Sequence, residues 1–88
     1  MQAKIYVTLK DSIHDPQGKA ILHALGALGF NGILGVRAGK YFEINMPGVS
    51  LETAEQSVQQ MCEKLLANTV IEKYHYEIDA GAAPLVGA

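Results

Sequence analysis

Eighty-eight residues, 49% of them apolar, with a formal charge of −2, describe one small acidic domain with little room for a second. The acidic balance argues against a nucleic-acid partner, no apolar run is long enough to cross a bilayer, and a single cysteine cannot form an internal disulfide. A chain this short hides only a modest share of its surface, so its apolar surplus points to a surface that a partner covers.

The first element is a strand over Ala3 to Lys10, where Ala3, Ile5, Val7 and Leu9 alternate with Lys4, Tyr6, Thr8 and Lys10. This strand-like start lacks the basic, then apolar, pattern of a secretion signal, and with the lone Cys62 it suggests a reduced, cytoplasmic protein. A helix is expected from Pro16 to about Leu28. Asp15 caps it, and Pro16 occupies the first helical position, where its missing N–H costs nothing. Ile21, Leu25 and Leu28 form its apolar stripe, widened by Leu22 and Ala24, and Gly29 supplies a left-handed end. Gln17-Gly18 does not fit so simply. Glycine early in a helix costs about 1 kcal/mol relative to alanine, so this corner wants either an open backbone or the close approach of another chain.

In the middle, Leu34, Val36, Ala38, Phe42, Ile44 and Met46 share one parity across Gly39-Lys40. A two-residue hairpin would break that parity. A three-residue loop with Gly39 left-handed, or one long strand bent at Gly39, preserves it. After Met46-Pro47-Gly48, Ser50 caps a second helix whose stripe is Leu51, Ala54, Val58, Met61 and Leu65, joined by Cys62 and Leu66, with Asn68 suited to a left-handed end. A last strand runs from Val70 to about Ile78, which closes a domain of residues 1–79, and the Gly/Ala-rich stretch 80–88 reads as a flexible tail.

The order β-α-β-β-α-β, or β-α-long β-α-β, predicts an α+β two-layer sandwich with a mainly antiparallel sheet and both helices on one face. The covered face would carry Ile5, Val7, Val36, Phe42, Ile44 and Ile78. The open face would carry Tyr6, Thr8, Arg37, Tyr41, Asn45 and His75, a mixture suited to an interface between copies.

No catalytic constellation emerges. Cys62 falls on an apolar stripe late in a helix, where the dipole opposes a thiolate. His14, His23 and His75 lack metal-ligand spacing, and Asp15 beside His14 already has a capping role. Gln17-Gly18-Lys19 at a helix start, and Arg37 with Lys40 around Gly39, have the makings of weak anion sites, but the glycine pattern that wraps a phosphate is missing.

Five segments appear in order: Lys4 to Lys10, Asp15 to Ala20, Val36 to Lys40, Cys62 to Asn68, and Val70 to Tyr74. Together they resemble the PurS family, the small subunit of phosphoribosylformylglycinamidine synthase in purine biosynthesis, from about Lys4 to Ile78. Thr69 departs from the proline common among relatives, and the stretch from Ala80 has no counterpart. The resemblance implies a non-catalytic subunit of a glutamine- and ATP-dependent carbon–nitrogen ligase. The subunit would join a glutaminase to a large synthetase and assist ammonia transfer between them. ATP, Mg and glutamine would serve the complex, with no cofactor or metal on this chain. On this reading Asp15, Pro16, Gln17, Gly18, Lys19, Arg37, Gly39, Lys40 and Asn68 face partner subunits. Tyr6, Thr8 and Tyr41 serve a homodimer or higher homo-oligomer, formed through that face or a sheet edge. A different reading of the same fold is a stand-alone dimeric module that senses a small ligand.

Overall fold

Alternation along the first strand decides the architecture. In the computed structural model, which describes residues 1–81, strand β1 (Gln2–Leu9) lies at the centre of a three-stranded antiparallel sheet. It is flanked by β2 (Gly39–Asn45) and β3 (Glu72–Asp79) in the order β2-β1-β3. Ala3, Ile5 and Val7 are fully buried on one face. The register sets Ile5 opposite Phe42 and Tyr76, Ala3 opposite Ile44 and Ile78, and Val7 opposite Lys40 and Tyr74.

Helix α2 (Leu51–Met61) closes that face through Ala54 and Val58, followed by Cys62, all fully buried. Its first turn is capped as expected, Ser50 Oγ accepting from the Thr53 N–H at 3.2 Å. Two tyrosines on β3 tie it down: Gln59 donates to the Tyr76 hydroxyl at 2.9 Å, and the Tyr74 hydroxyl donates to Glu63 at 3.1 Å. The far end departs from the expected stripe. Residues Cys62–Leu66 form a π-helical turn, closed by the Ala67 N–H on the Cys62 carbonyl at 3.0 Å. The extra residue in that turn rotates Leu65 out of the stripe to 82% exposure, while Leu66 packs on the core and Ala67 is buried. Asn68 takes no left-handed conformation, because Ala67 has already left the helix in an extended one.

Helix α1 (Pro16–Ala27) behaves differently. It ends as the sequence predicts: Gly29 at φ +95°, the Phe30 N–H on the Leu25 carbonyl and the Gly29 N–H on the Gly26 carbonyl form a Schellman motif. It does not, however, lie over the sheet. Its one buried residue is Gly18 in the first turn, and the remainder projects as an arm. The radius of gyration, 16.3 Å, exceeds the roughly 12 Å of a compact chain this long. The expectation of two helices on one face is therefore corrected to one.

The expectation of a fourth strand is corrected as well. Strand structure begins only at Gly39, so the order is β-α-β-α-β. The reason is local. The Ala38 N–H donates to the Asp15 carboxylate at 3.0 Å instead of to a strand, and the Val36 carbonyl lies against Gly18. Val36 and Arg37 thus belong to neither face of the sheet. β3 likewise starts at Glu72 rather than Val70, which is 78% exposed. Ala80 and Gly81 form a turn with the Gly81 N–H on Asp79. The rest of the expected tail, 82–88, lies outside the described residues.

Candidate functional site

The residues singled out from the sequence gather at two places. Most converge where β1 ends and α1 begins. Asp15 is buried, and its carboxylate accepts from the Gly18 N–H at 2.8 Å and the Ala38 N–H at 3.0 Å. These two bonds hold its carboxyl below the usual range, against the opposing push of burial. Gly18 is required at this point. A Cβ there would meet the Val36 carbonyl oxygen at 2.3 Å and the Asp15 carboxylate at 2.7 Å. The open backbone at Gln17-Gly18 thus admits the chain's own segment 36–38.

Arg37 completes the same knot. Its guanidinium donates to the carbonyls of Leu9 at 2.6 Å, Lys10 at 2.7 Å and Ile13 at 3.4 Å, fixing the turn that leads from β1 to α1. Gly39 is needed for a similar reason, since a Cβ would stand 2.4 Å from the Val7 carbonyl oxygen. Lys40 reaches across the sheet end to Glu72 at 3.5 Å and to the Leu66 carbonyl at 3.3 Å. Glu72 in turn accepts from the Asn68 N–H at 2.6 Å, and Asn68 Oδ1 accepts from the Val70 N–H at 3.2 Å. Asp15, Gly18, Arg37, Gly39, Lys40 and Asn68 are therefore neighbours in one polar corner, while Pro16, Gln17 and Lys19 are exposed beside it. Two clefts flank the corner. One of about 400 Å³ includes His14, Lys19, Leu22 and Arg37, and one of about 340 Å³ includes Thr8, Gln17, Lys40 and Glu72; Asp15 lines both.

Tyr6, Thr8 and Tyr41 lie on the open face of the sheet, with Thr8 at the end that borders the corner's second cleft. Tyr6 stands in an aromatic row, its ring centroid 5.0 Å from that of Tyr41 and 4.5 Å from that of His75, with the His75 ring nearly parallel. The register explains the row, because Tyr41 and His75 are the cross-strand partners of Tyr6. Desolvation, and donation to Glu43 at 2.9 Å, push the Tyr41 phenol up to about 12.

Two participants lacked a usable signal in the sequence. Glu72 is the hub of the Lys40–Asn68 link, yet in the sequence it is one carboxylate among nine. The Val36 carbonyl is a backbone group, and glycine at position 18 is its only trace.

The chemistry available here is recognition. Asp15 is committed to two backbone donors, and Cys62 is buried in the core, where desolvation pushes its thiol up and away from thiolate. Among the described residues, no three His, Cys, Asp or Glu side chains converge on a point that could hold a metal ion, and no helix is long and apolar enough to cross a membrane.

Comparison with known proteins gives this scaffold its place. A sequence profile of PurS, described as phosphoribosylformylglycinamidine (FGAM) synthase, matches residues 2–80. The phosphoribosylformylglycinamidine synthase subunit PurS of Bacillus subtilis is 49% identical over 78 residues, 89% of this chain and 92% of that protein. The crystal structure of Methanocaldococcus jannaschii PurS, one of the subunits of formylglycinamide ribonucleotide amidotransferase in the purine biosynthetic pathway, superposes with a TM-score of 0.77 at 37% identity, over 86% of this chain and 92% of that one. A chain in the structure of PurLQS from Thermotoga maritima superposes with a TM-score of 0.76 at 26% identity, over 88% and 96% of the two chains. With its three-stranded sheet, its single covering helix and a profile match over nearly its whole length, the chain belongs to the PurS family, subunits of the phosphoribosylformylglycinamidine synthase of purine biosynthesis.

Proposed function

We propose that this chain is the non-catalytic bridge of its synthase. It docks the glutaminase onto the ATP-dependent synthetase and assists ammonia in passing from one to the other. The observation that carries this reading is the uncovered arm. Leu28 is 73% exposed, Phe30 58% and Leu34 fully exposed, a run of large apolar side chains left in water of the kind a partner covers. The similarity to a chain of the Thermotoga maritima PurLQS structure supports it. A second copy of the chain covers the arm or the aromatic row of Tyr6, Tyr41 and His75. The polar corner around Gln17, Lys19 and Lys40 faces the larger subunits. ATP, Mg and glutamine are handled by those partners, in the cytoplasm.

The chemical purpose is plain. Released ammonia is largely protonated near neutral pH, and ammonium has no lone pair with which to attack the activated amide, so a route sheltered from water preserves the nucleophile. Reconstitution tests the bridge. The two larger subunits are assayed with and without this chain, using glutamine or ammonia as nitrogen donor. Glutamine-dependent product formation should require the chain and ammonia-dependent formation should not. Equal use of glutamine in its absence would refute the bridge.

A further inference from the structure

The tip of the arm carries a chemical weakness of its own. Asn31 is followed by Gly32, both are exposed, and Gly32 sits at φ +83° with nothing within 4 Å of where its Cβ would be. Among the described residues, no hydrogen bond engages the Asn31 side chain or the Gly32 N–H. The chain has three asparagines, and the other two are protected. Asn45 lies in β2, and the N–H that follows it, on Met46, is committed to the Met1 carbonyl at 2.8 Å. Asn68 Oδ1 accepts from the Val70 N–H at 3.2 Å, and its next residue, Thr69, is β-branched.

We propose that Asn31 is a site of spontaneous deamidation. The Gly32 backbone nitrogen, after losing its proton to hydroxide or another base, attacks Asn31 Cγ. An N–Cγ bond forms, the Cγ–Nδ2 bond breaks, and Nδ2 leaves as ammonia with a proton from water. The resulting succinimide then takes up one water at either carbonyl, giving aspartate with the original backbone or isoaspartate with the chain rerouted through Cγ. No redox partner is needed. Glycine matters because a side chain on the attacking residue would crowd the closing ring. Either product adds one negative charge, taking the formal total from −2 to −3. The charge falls between Phe30 and the pair Ile33 and Leu34, which are 58%, 39% and 100% exposed. If the arm docks as proposed above, each deamidation event places a carboxylate in that apolar contact, and the population of docking-competent chains declines with age.

Trypsin separates the three asparagines: Asn31 falls in peptide 20–37, Asn45 in 41–64 and Asn68 in 65–73. The intact chain is held in warm, mildly alkaline buffer, sampled over time, digested and mapped by mass spectrometry. Peptide 20–37 should gain about one dalton and split chromatographically into aspartyl and isoaspartyl forms. Its conversion should run roughly tenfold or more ahead of the other two peptides, whose attacking nitrogens are hindered or hydrogen-bonded. Asn31→Gln, whose longer side chain must close a less favourable ring, should hold its mass. A peptide 20–37 that stays intact, or converts no faster than 41–64 and 65–73, overturns the proposal. Sedimentation of Asn31→Asp against wild type reads the consequence separately. Weakened association supports the arm as a docking surface, and unchanged association refutes that surface while leaving the modification site standing.

Discussion

The two helices each carry an apolar stripe and meet opposite fates. On α2 and its continuation, Ala54, Val58 and Cys62 are fully buried, the last two in one cluster with Ile5 and Val7, whereas on α1 Ile21 is 39% exposed and Leu28 73%. The contrast does not lie in helix formation, since each has a side-chain cap at its start. It lies in what each is fastened to. Helix α2 is held near its end by Tyr76 on Gln59, and the π turn that leads from it towards β3 is held by Tyr74 on Glu63. Among the described residues, helix α1 is fastened at its first turn, through Asp15 and Gly18, and its far end stands clear. A valine or leucine taken fully out of water contributes about 1.5–3 kcal/mol. On α2 that energy folds the monomer. On α1 it remains available for association.

Substitutions on the two sides should therefore report on different equilibria. The largest effect is expected at the centre of the closed side. Ile5→Ala, which opens a cavity beneath α2, should lose about 2–5 kcal/mol of folding stability in urea denaturation. A loss below 1 kcal/mol would mean that the sheet and α2 do not form the core. The fastening of α1 comes next. Gly18→Ala pushes a methyl group into the Val36 carbonyl and the Asp15 carboxylate, neither the end of a flexible side chain free to yield. It should cost roughly 1–3 kcal/mol, the usual toll of overpacking. A neutral or stabilising result, the normal outcome of replacing glycine in a helix, would show that segment 36–38 does not pack there.

The closed side was legible in the sequence, because period two along β1 and the 3-4 spacing along α2 each report a face that is buried within the same chain. The face of Tyr6 and Tyr41 followed from the same parity. The arm was misread for the converse reason: Ile21, Leu25 and Leu28 report that a face is apolar, not which chain covers it. Residues 34–38 misled in another way. Their alternation is genuine, but Asp15 accepts the Ala38 N–H and so competes with strand pairing, a contact 23 positions apart that no local pattern encodes. Gln17-Gly18 drew attention as an unexplained corner and Asp15 as a helix cap, and Gly18 and Asp15 together form the lock between those segments.

The lock also has a pH signature. The Asp15 carboxyl is held below the usual range in the folded chain by the Gly18 and Ala38 N–H groups. Its contribution is therefore present above the unfolded carboxylate value, near 3.9, and is lost as pH falls through the lower folded value. Asp15→Asn keeps one acceptor oxygen but cannot serve both donors as an anion. It should be less stable than wild type at pH 7, with the gap narrowing as the two are compared at successively lower pH. Asp11, held down in the same sense by exposed Lys73, is present in both proteins and cancels in the difference. A gap that stays constant through the acid range would show that the Asp15 charge has no part in the lock.

The smallest expected change in folding carries the sharpest test of the comparison. Leu28→Lys removes an apolar side chain that is already 73% exposed and places a cation at the C-terminal end of α1, where the helix dipole favours it. Folding stability of the dilute chain should stay within about 0.5 kcal/mol of wild type. Association should not. Because binding that favours the folded state raises apparent stability with concentration, the wild-type melting temperature should climb as protein is added, while that of Leu28→Lys should stay flat. If the melting temperatures of both proteins climb equally with concentration, copies meet somewhere other than the arm, at the open face of Tyr6 and His75 or at an edge of the sheet.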